Sequence, residues 1–335
     1  MFKTYRASTV LAASLLLLAT SPLPSLAKSS EPLKVQDKGA VRGASQLAIA
    51  AFNVGFIFES VDATAATGGL IGAFGGTTKA KSSLVGVTPE MMQKIADAAY
   101  ADFVAQAEAK GFTVVAADSV FASADMERAK GDAGPTDINI ALEKGSKGKA
   151  TYYKPAVLPR QIMLAGDFVG SGLSSMGLNM QAGMNGMAVS GYARSSGTPV
   201  VDVVYLIDFS DQKRPGAFSF GGLNVNANLS VVPTYSRMTV VGANGKQNGV
   251  TFSQPVSVEG DFIEMADASS ALDKTSQAVG NVMGGLAAAA GYGGFRLGKT
   301  RKFEFTAKPG SYEEGAAKLA SLANERLVSV LSMQR

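Results

Sequence analysis

The chain has 335 residues, with no cysteine, no histidine and no tryptophan. That composition excludes disulfides, thiolate nucleophiles, cysteine-based zinc sites and every imidazole mechanism, the Ser-His-Asp triad included. A hydrophobic share of 46 %, 38 glycines and only 17 % charged residues describe a folded, glycine-rich, weakly charged protein with ample chain to bury a core.

The first 27 residues have the layout of a secretory signal peptide. Lys3 and Arg6 form a basic start, Val10–Ala19 an apolar run, and Ser21–Ala27 a helix-breaking stretch with small residues at Ser25 and Ala27, so cleavage is expected after Ala27. The apolar run is about half of a bilayer span. Removing the segment takes Lys3 and Arg6 with it and lowers the formal charge from +4 to +2, which leaves no case for nucleic acid as a partner. The location expected is exported: periplasmic or outer-membrane-associated, with no lipid anchor, because no cysteine stands at the cut.

Residues 28–45 read as a flexible lead-in and 46–335 as one domain. From Gln46 to Phe58, Phe52, Val54, Phe56 and Phe58 alternate on one side, so a long strand is expected, with a phase slip near Ala50 and Ala51 that suggests a bulge. The stretch 60–87 is longer than an ordinary connection. Thr88 then caps a helix over about 89–110, with Pro89 at its first position, Glu90 in its first turn and Gly111 as its stop. Its apolar face is Met92, Ile95, Ala96, Ala99, Phe103 and Ala107. Phe112–Ala116 follows as a short strand, making a β-α-β arrangement.

A β-rich middle section is expected over about 160–262. Gln161–Val169 reads as a strand, and Met187–Arg194 and Pro199–Phe209 as two strands of a hairpin around Ser195–Thr198. The second alternates Val201, Val203, Tyr205, Ile207 and Phe209 against Val200, Asp202, Val204, Leu206 and Asp208, so both faces are covered. Short strands are expected at Ala217–Gly221, Asn228–Val232, Met238–Val241, Val250–Phe252 and Val256–Phe262, with a turn at Asn244-Gly245. Arg301–Ala307 alternates as a last strand. Ser311 and Glu314 read as a capping box that opens an amphipathic helix over about 312–333. The fold class is therefore α+β: a mixed sheet, two long amphipathic helices and inserted β-hairpins.

The chemical signals are each outweighed by a plainer reading. Gly170-x-Gly172-x-x-x-x-Gly177 resembles a phosphate-binding turn, but the glycines after it oppose a helix and no ribose-binding acid follows, so a glycine loop is favoured. Ser210-Asp211-Gln212-Lys213 and Ser146-Lys147-Gly148-Lys149 have the Ser-x-x-Lys spacing of acyl-enzymes but read as turns. Carboxylate chemistry through Asp167, Asp202, Asp208 or Asp211 stays formally open, since spacing alone places no pair at a working distance. No catalytic residue, cofactor or metal ligand is assigned, and the chain is read as a non-enzyme.

Three Gly/Ala/Met tracts, at 64–76, 170–187 and 283–294, stand out most. Small residues allow close backbone approach, as loops, subunit contacts or lipid contacts. The candidate interaction residues are Gly68, Gly69, Gly72, Phe74, Gly172, Met176, Met180, Gly284, Gly285 and Tyr292.

Gln46–Glu59, Thr88–Lys110, Phe112–Ala116, Arg160–Val169, Ala188–Phe209 and Tyr312–Leu331 together give an order of elements that resembles the periplasmic α/β domain of curli-secretion-type channel subunits. The resemblance covers most of 46–335 as a pattern of elements, and no functional residue is carried over from it. It implies an oligomeric outer-membrane secretion channel. Members of that family are commonly lipid-anchored through an N-terminal cysteine, which this chain lacks. The expectation is a non-catalytic envelope protein acting by binding or assembly, its partner another envelope protein or itself. A channel subunit is the second reading and a carboxylate-dependent hydrolase the third.

Overall fold

The computed structural model describes residues 32–65, 77–140, 147–167, 174–213, 224–269 and 299–335. The stretch expected to be a signal peptide and its expected cleavage point lie outside them, as do the strand expected at Ala217–Gly221 and the third Gly/Ala tract.

The long strand is β2, Gln46–Ala65, and it stands near the middle of a 13-stranded mixed sheet. Its alternating residues Phe52, Val54 and Phe56 are fully buried. Pairing with the parallel strand β7, Val200–Lys213, skips a residue between Ile49 and Ala51, which is the bulge read from the phase slip. Helix α1, Pro89–Ala109, is capped by Thr88, whose Oγ1 accepts from the Met91 N–H at 3.3 Å. Gly111 ends it at φ +86°, a left-handed stop that a side chain would strain. The six apolar positions expected on α1 are the six that it buries. The chain then returns as β4, Thr113–Val114, parallel to the start of β2, which completes the β-α-β unit.

The sheet runs β1 (Leu33–Gln36), β10 (Gln247–Phe252), β9 (Arg237–Val241), β7, β2, β3 (Thr77–Val85), β13 (Lys299–Ala307), β12 (Ile263–Asp267). Strand β6 (Lys147–Tyr153) pairs with β2 and with β5 (Thr136–Ile140), while β8 (Asn224–Val231) pairs with β7 and with β11 (Val256–Val258). Stretch 60–87 thus holds the last six residues of β2 and its antiparallel partner β3. Part of the lead-in is ordered: Leu33–Gln36 pairs along β10. Val256–Phe262 is not one strand, since β11 stops at Val258 and β12 starts at Ile263.

The closing helix is α5, Ser311–Gln334. Its cap sits one residue earlier than expected: Gly310, at φ +81°, is the N-cap, and Glu313 accepts from the Gly310 N–H at 2.6 Å. Helices α1 and α5 pack together on one face of the sheet. Phe52 meets Tyr100 and Phe103 of α1 edge-on, with ring centroids 5.6 and 5.7 Å apart. Tyr205 of β7 donates to Asn324 Oδ1 of α5 at 2.5 Å, and Asn324 donates to the Ala99 carbonyl at 2.9 Å. One buried amide therefore ties strand, first helix and last helix.

The middle section departs most from expectation. Met187–Arg194 is not a strand and Ser195–Thr198 is not a hairpin turn. Both belong to or end a third long helix, α4, Ser174–Ser196, which leads directly into β7. Gly177, Gly183 and Gly186 each weaken a helix by about 1 kcal/mol, which is why the run reads as loop. Tertiary packing overrides that cost: Ala182, Asn185, Ala188, Val189, Tyr192 and Ala193 recur at helical spacing and are buried. Two short helices, α2 (Ala117–Phe121) and α3 (Ala124–Glu127), precede it, and α3 packs on α4. A Cβ on Gly191 would meet Asp125 Oδ1 at 2.7 Å, so that contact requires glycine.

Gln161–Val169 is not a strand either. In the described part, Gln161–Asp167, the sole ladder contact is an isolated bridge from Gln161 to Asp132. Ile162, Met163 and Leu164 are buried as their apolar pattern requires. Their backbone groups go to side chains: Asn53 Nδ2 donates to the Ile162 carbonyl at 2.8 Å, Asn185 Nδ2 to the Met163 carbonyl at 3.1 Å, and the Leu164 N–H donates to Asp167.

Candidate functional site

The face of the sheet opposite α1 and α5 carries a line of buried polar residues. Period-2 alternation turns Asn53 of β2 and Asp202 of β7 to this face, away from Phe52 and Tyr205. The segment Leu158–Asp167 lies across it. Gln161 donates to Asn53 Oδ1 at 3.2 Å and to the Tyr152 carbonyl at 3.1 Å, and accepts from Thr136 Oγ1 at 2.8 Å. These ties deliver Asp167 to Asp202.

The resulting cluster is Asp167, Asp202 and Arg237. Asp202 stands in register between Ala51 of β2 and Thr239 of β9. Arg237 opens β9, and its Nη2 donates to Asp167 Oδ1 at 3.2 Å and also to the Ala165 carbonyl. The turn closes over the guanidinium because residue 166 is glycine. Its φ is +90°, and a Cβ there would lie 2.2 Å from Arg237 Nη1.

Asp167 is 1 % exposed and Asp202 2 %. Burial pushes both carboxyls above the usual carboxylate range. For Asp167 the Arg237 charge and the Leu164 N–H pull back down; for Asp202 the Asp167 charge adds to burial, and its carboxyl stands well above the range. Among the described residues no N–H or hydroxyl donates to either oxygen of Asp202, and the Asp167 carboxyl is the acidic neighbour that acts on it. Two neighbouring carboxylates in a low-dielectric interior resist ionising together. Burial and the Asp167 charge therefore hold Asp202 toward its neutral form, while Asp167 and Arg237 balance one another. Tyr152, whose hydroxyl is buried with no partner, is held protonated by burial and by the Asp167 charge.

An acid pair is the equipment of general acid–base catalysis, but such a pair must reach a substrate. Here neither carboxyl faces water. The best-formed recesses among the described residues pass both by. One is a cavity of about 30 Å³ beneath α4, lined by Asp132, Thr136, Gln161, Met163 and Asn185, with room for a single water. The other is a recess of about 220 Å³ between β8, β11 and Phe262, smaller than common ligand pockets of roughly 300–1,000 Å³. The cluster acts as a lock between β7, β9 and the covering segment.

Of the four aspartates left open by the sequence, two come together. Asp208 is elsewhere on β7, where its Oδ1 accepts from the Ser210 N–H at 3.1 Å. Asp211 lies farther along the strand, paired with Asn226. Ser210–Lys213 is extended strand, not a turn, and Lys147–Lys149 belongs to β6; Ser146 lies outside the described residues. Arg237, Asn53, Gln161 and Asn185 were not anticipated. A polar residue inside an apolar strand, as at Asn53 and Asp202, is the local signal that could have pointed to them.

Among the interaction residues, Gly68, Gly69, Gly72, Phe74, Gly172, Gly284, Gly285 and Tyr292 lie outside the described residues. Met176 and Met180 lie on the outer face of α4, 69 % and 70 % exposed, and Met184 and Met187 join them on that face. Among the described residues no helix is long and apolar enough to cross a membrane, which leaves strand-built spans unaddressed.

The strand ends have one further relation. Strand β7 runs parallel to β2, β13 runs parallel to β3, and the pairs β2–β3, β5–β6, β7–β8 and β12–β13 are antiparallel, as is β2–β6. Residues 66–76, 141–146, 214–223 and 270–298 consequently all join strands at the same end of the sheet. Comparison with known protein families, curated proteins and solved structures gives no match.

Proposed function

We propose that the chain is an exported, non-catalytic protein of the cell envelope that works by assembly with copies of itself, using the end of the sheet where the strands flanking those four connections end and begin. That common end carries the reading. Stretches 66–76, 214–223 and 270–298 comprise 11, 10 and 29 residues, and their 50 residues include only Arg214, Asp273, Lys274 and Arg296 as charged groups. Surfaces facing water usually carry many more charges, whereas glycine- and alanine-rich, weakly charged chain favours contact with protein or lipid. The sealed acid pair supports a role other than catalysis.

The leader-like first 27 residues support export, to the periplasm or the outer membrane. N-terminal sequencing of protein recovered from cells tests this, with a mature start at Lys28 expected. For assembly, light scattering on the mature protein with and without detergent is decisive. A discrete oligomer is expected, reduced to monomer by replacing Gly68–Gly75 with a charged linker of equal length. A monomer at every concentration, in both conditions, overturns the reading.

A subunit of an outer-membrane secretion channel is a second reading. It is favoured by β2 and β7, 20 and 14 residues long, each extending with an antiparallel partner toward that same end. It predicts size-limited dye release from lipid vesicles, and oligomers that leave vesicles sealed argue against it.

A further inference from the structure

Helix α4 presents four thioethers along one outward stripe. Met176, Met180, Met184 and Met187 are 69 %, 70 %, 43 % and 69 % exposed. At about 100° per residue their spacing of four, four and three keeps them within roughly 80° of the helix circumference. Neighbours three and four apart on a helix bring their Cβ atoms to about 5–6 Å. The methionine side chain has three rotatable bonds, so adjacent sulfurs can converge on one centre. Gly183 borders the stripe, about 40° around the helix from Met187, and nothing lies within 4 Å of a Cβ built there, so the Met187 side chain has room beside it.

The chemistry of the stripe is selective. From Met176 to Tyr192 the helix has no charged residue, and among the described residues no three acidic, histidine or cysteine side chains gather in any metal-binding group. A hard cation such as Mg²⁺ or Ca²⁺ finds no oxygen cage here. Thioether sulfur is a soft donor suited to Cu⁺. The whole chain lacks cysteine and histidine, so methionine is its sole soft ligand, and four of its 13 methionines lie on this stripe.

We propose that α4 binds one Cu⁺ ion through the thioethers of Met180, Met184 and Met187, with Met176 one turn away as an exchanging fourth ligand. The axial span from Met180 to Met187 is about 10 Å, which allows three flexible side chains to reach one ion above Met184. Met176 lies about 16 Å from Met187 along the axis and so serves by replacing Met187, not by joining it. This assignment uses a helix face separate from the sheet end invoked for assembly, so either can fail without the other.

The test is anaerobic competition between the purified protein and a colorimetric Cu⁺ chelator, with Ag⁺ as a redox-inert probe followed by ¹³C-methyl NMR of methionine. One equivalent of Cu⁺ per chain is expected. Ag⁺ should shift the Met180, Met184 and Met187 methyl signals and leave buried Met92 and Met126 in place. The M180L/M184L/M187L variant keeps the volume and apolar character of the stripe and should bind at least tenfold more weakly, while M265L/M333L binds as the parent does. Failure of the parent protein to take Cu⁺ from the chelator, or equal affinity in the triple variant, overturns the proposal. Loss of vesicle binding or self-association in the triple variant with Cu⁺ uptake unchanged also overturns it, and marks the stripe as a docking face. If the triple variant does not fold, the methyl shifts of the parent protein decide the matter.

Discussion

Asp202 in the central strand and Asp167 at the end of the covering segment are buried as neighbouring carboxyls, both pushed upward by burial, with Arg237 paired to Asp167. This relation makes stability depend on pH in a definite direction. Asp202 has a higher pKa folded than unfolded, so the folded state holds its proton over a range in which the unfolded chain has lost it. The contribution is complete below the ordinary carboxylate pKa and is lost as pH rises through the folded value. Denaturant midpoints measured from pH 4 to 9 should show the parent protein losing stability relative to Asp202→Asn as pH rises. Parallel curves would show that the Asp202 carboxyl is not raised in the folded protein.

The two acids should respond unequally to neutralisation. At neutral pH, Asp202→Asn replaces one neutral donor by another, and a change within about 1 kcal/mol is expected. Asp167→Asn strands the Arg237 guanidinium. Breaking a buried pair typically costs about 3–5 kcal/mol, and partial exposure of Arg237, at 24 %, lowers the expected loss to about 2–3 kcal/mol. Urea unfolding of both variants checks the order, and equal losses contradict it.

Asn324 joins three elements, so its removal should exceed the loss of one hydrogen bond. Besides Tyr205 and Ala99 it donates to Asp102 Oδ2 at 2.7 Å. Asn324→Leu leaves the Tyr205 hydroxyl buried without its acceptor and removes the donors to the Ala99 carbonyl and Asp102, and a loss of about 2–4 kcal/mol is expected. Tyr205→Phe alone should cost about 1 kcal/mol, and less than that in the Asn324→Leu background. Additive losses in thermal or urea unfolding would show that the two side chains do not act together.

Gly55 of β2 stands opposite Tyr152 of β6, whose ring lies over it. A Cβ at position 55 would meet the ring of the fully buried Tyr152 at 2.5 Å. Gly55→Ala should destabilise by about 1–3 kcal/mol through overpacking. The Gly55→Ala, Tyr152→Leu pair should recover part of the loss, and no recovery would place the strain elsewhere.

Features written in local periodicity were legible in the sequence. Helix α1 was readable from cap to stop, with all six buried positions, because a 3.6-residue period and its caps are local. The bulge near Ala50, the two-sided burial of β7, the turn at Asn244-Gly245 and the face of α5 were readable for the same reason, as was the α+β class. The limit shows at Asn324, which no periodicity marks because its value lies in partners 119 and 225 residues away.

What the tertiary structure alone decided is how non-local contacts override local preference. The glycines of 177–186 argue against a helix, yet burial of Ala182, Ala188, Val189 and Tyr192 against the sheet makes one. That conversion turns two methionines of a supposed loop into a four-residue stripe. Ile162–Leu164 carries a strand's apolar pattern, but Asn53, Asn185 and Asp167 take its backbone hydrogen bonds. Four aspartates were equal candidates in the sequence, and only register and chain crossing bring Asp167 to Asp202. The absence of cysteine and histidine was decided by the sequence alone, and it leaves acid pairs and thioethers as the chain's distinctive chemistry. The fold seals the first inside and turns the second to the solvent.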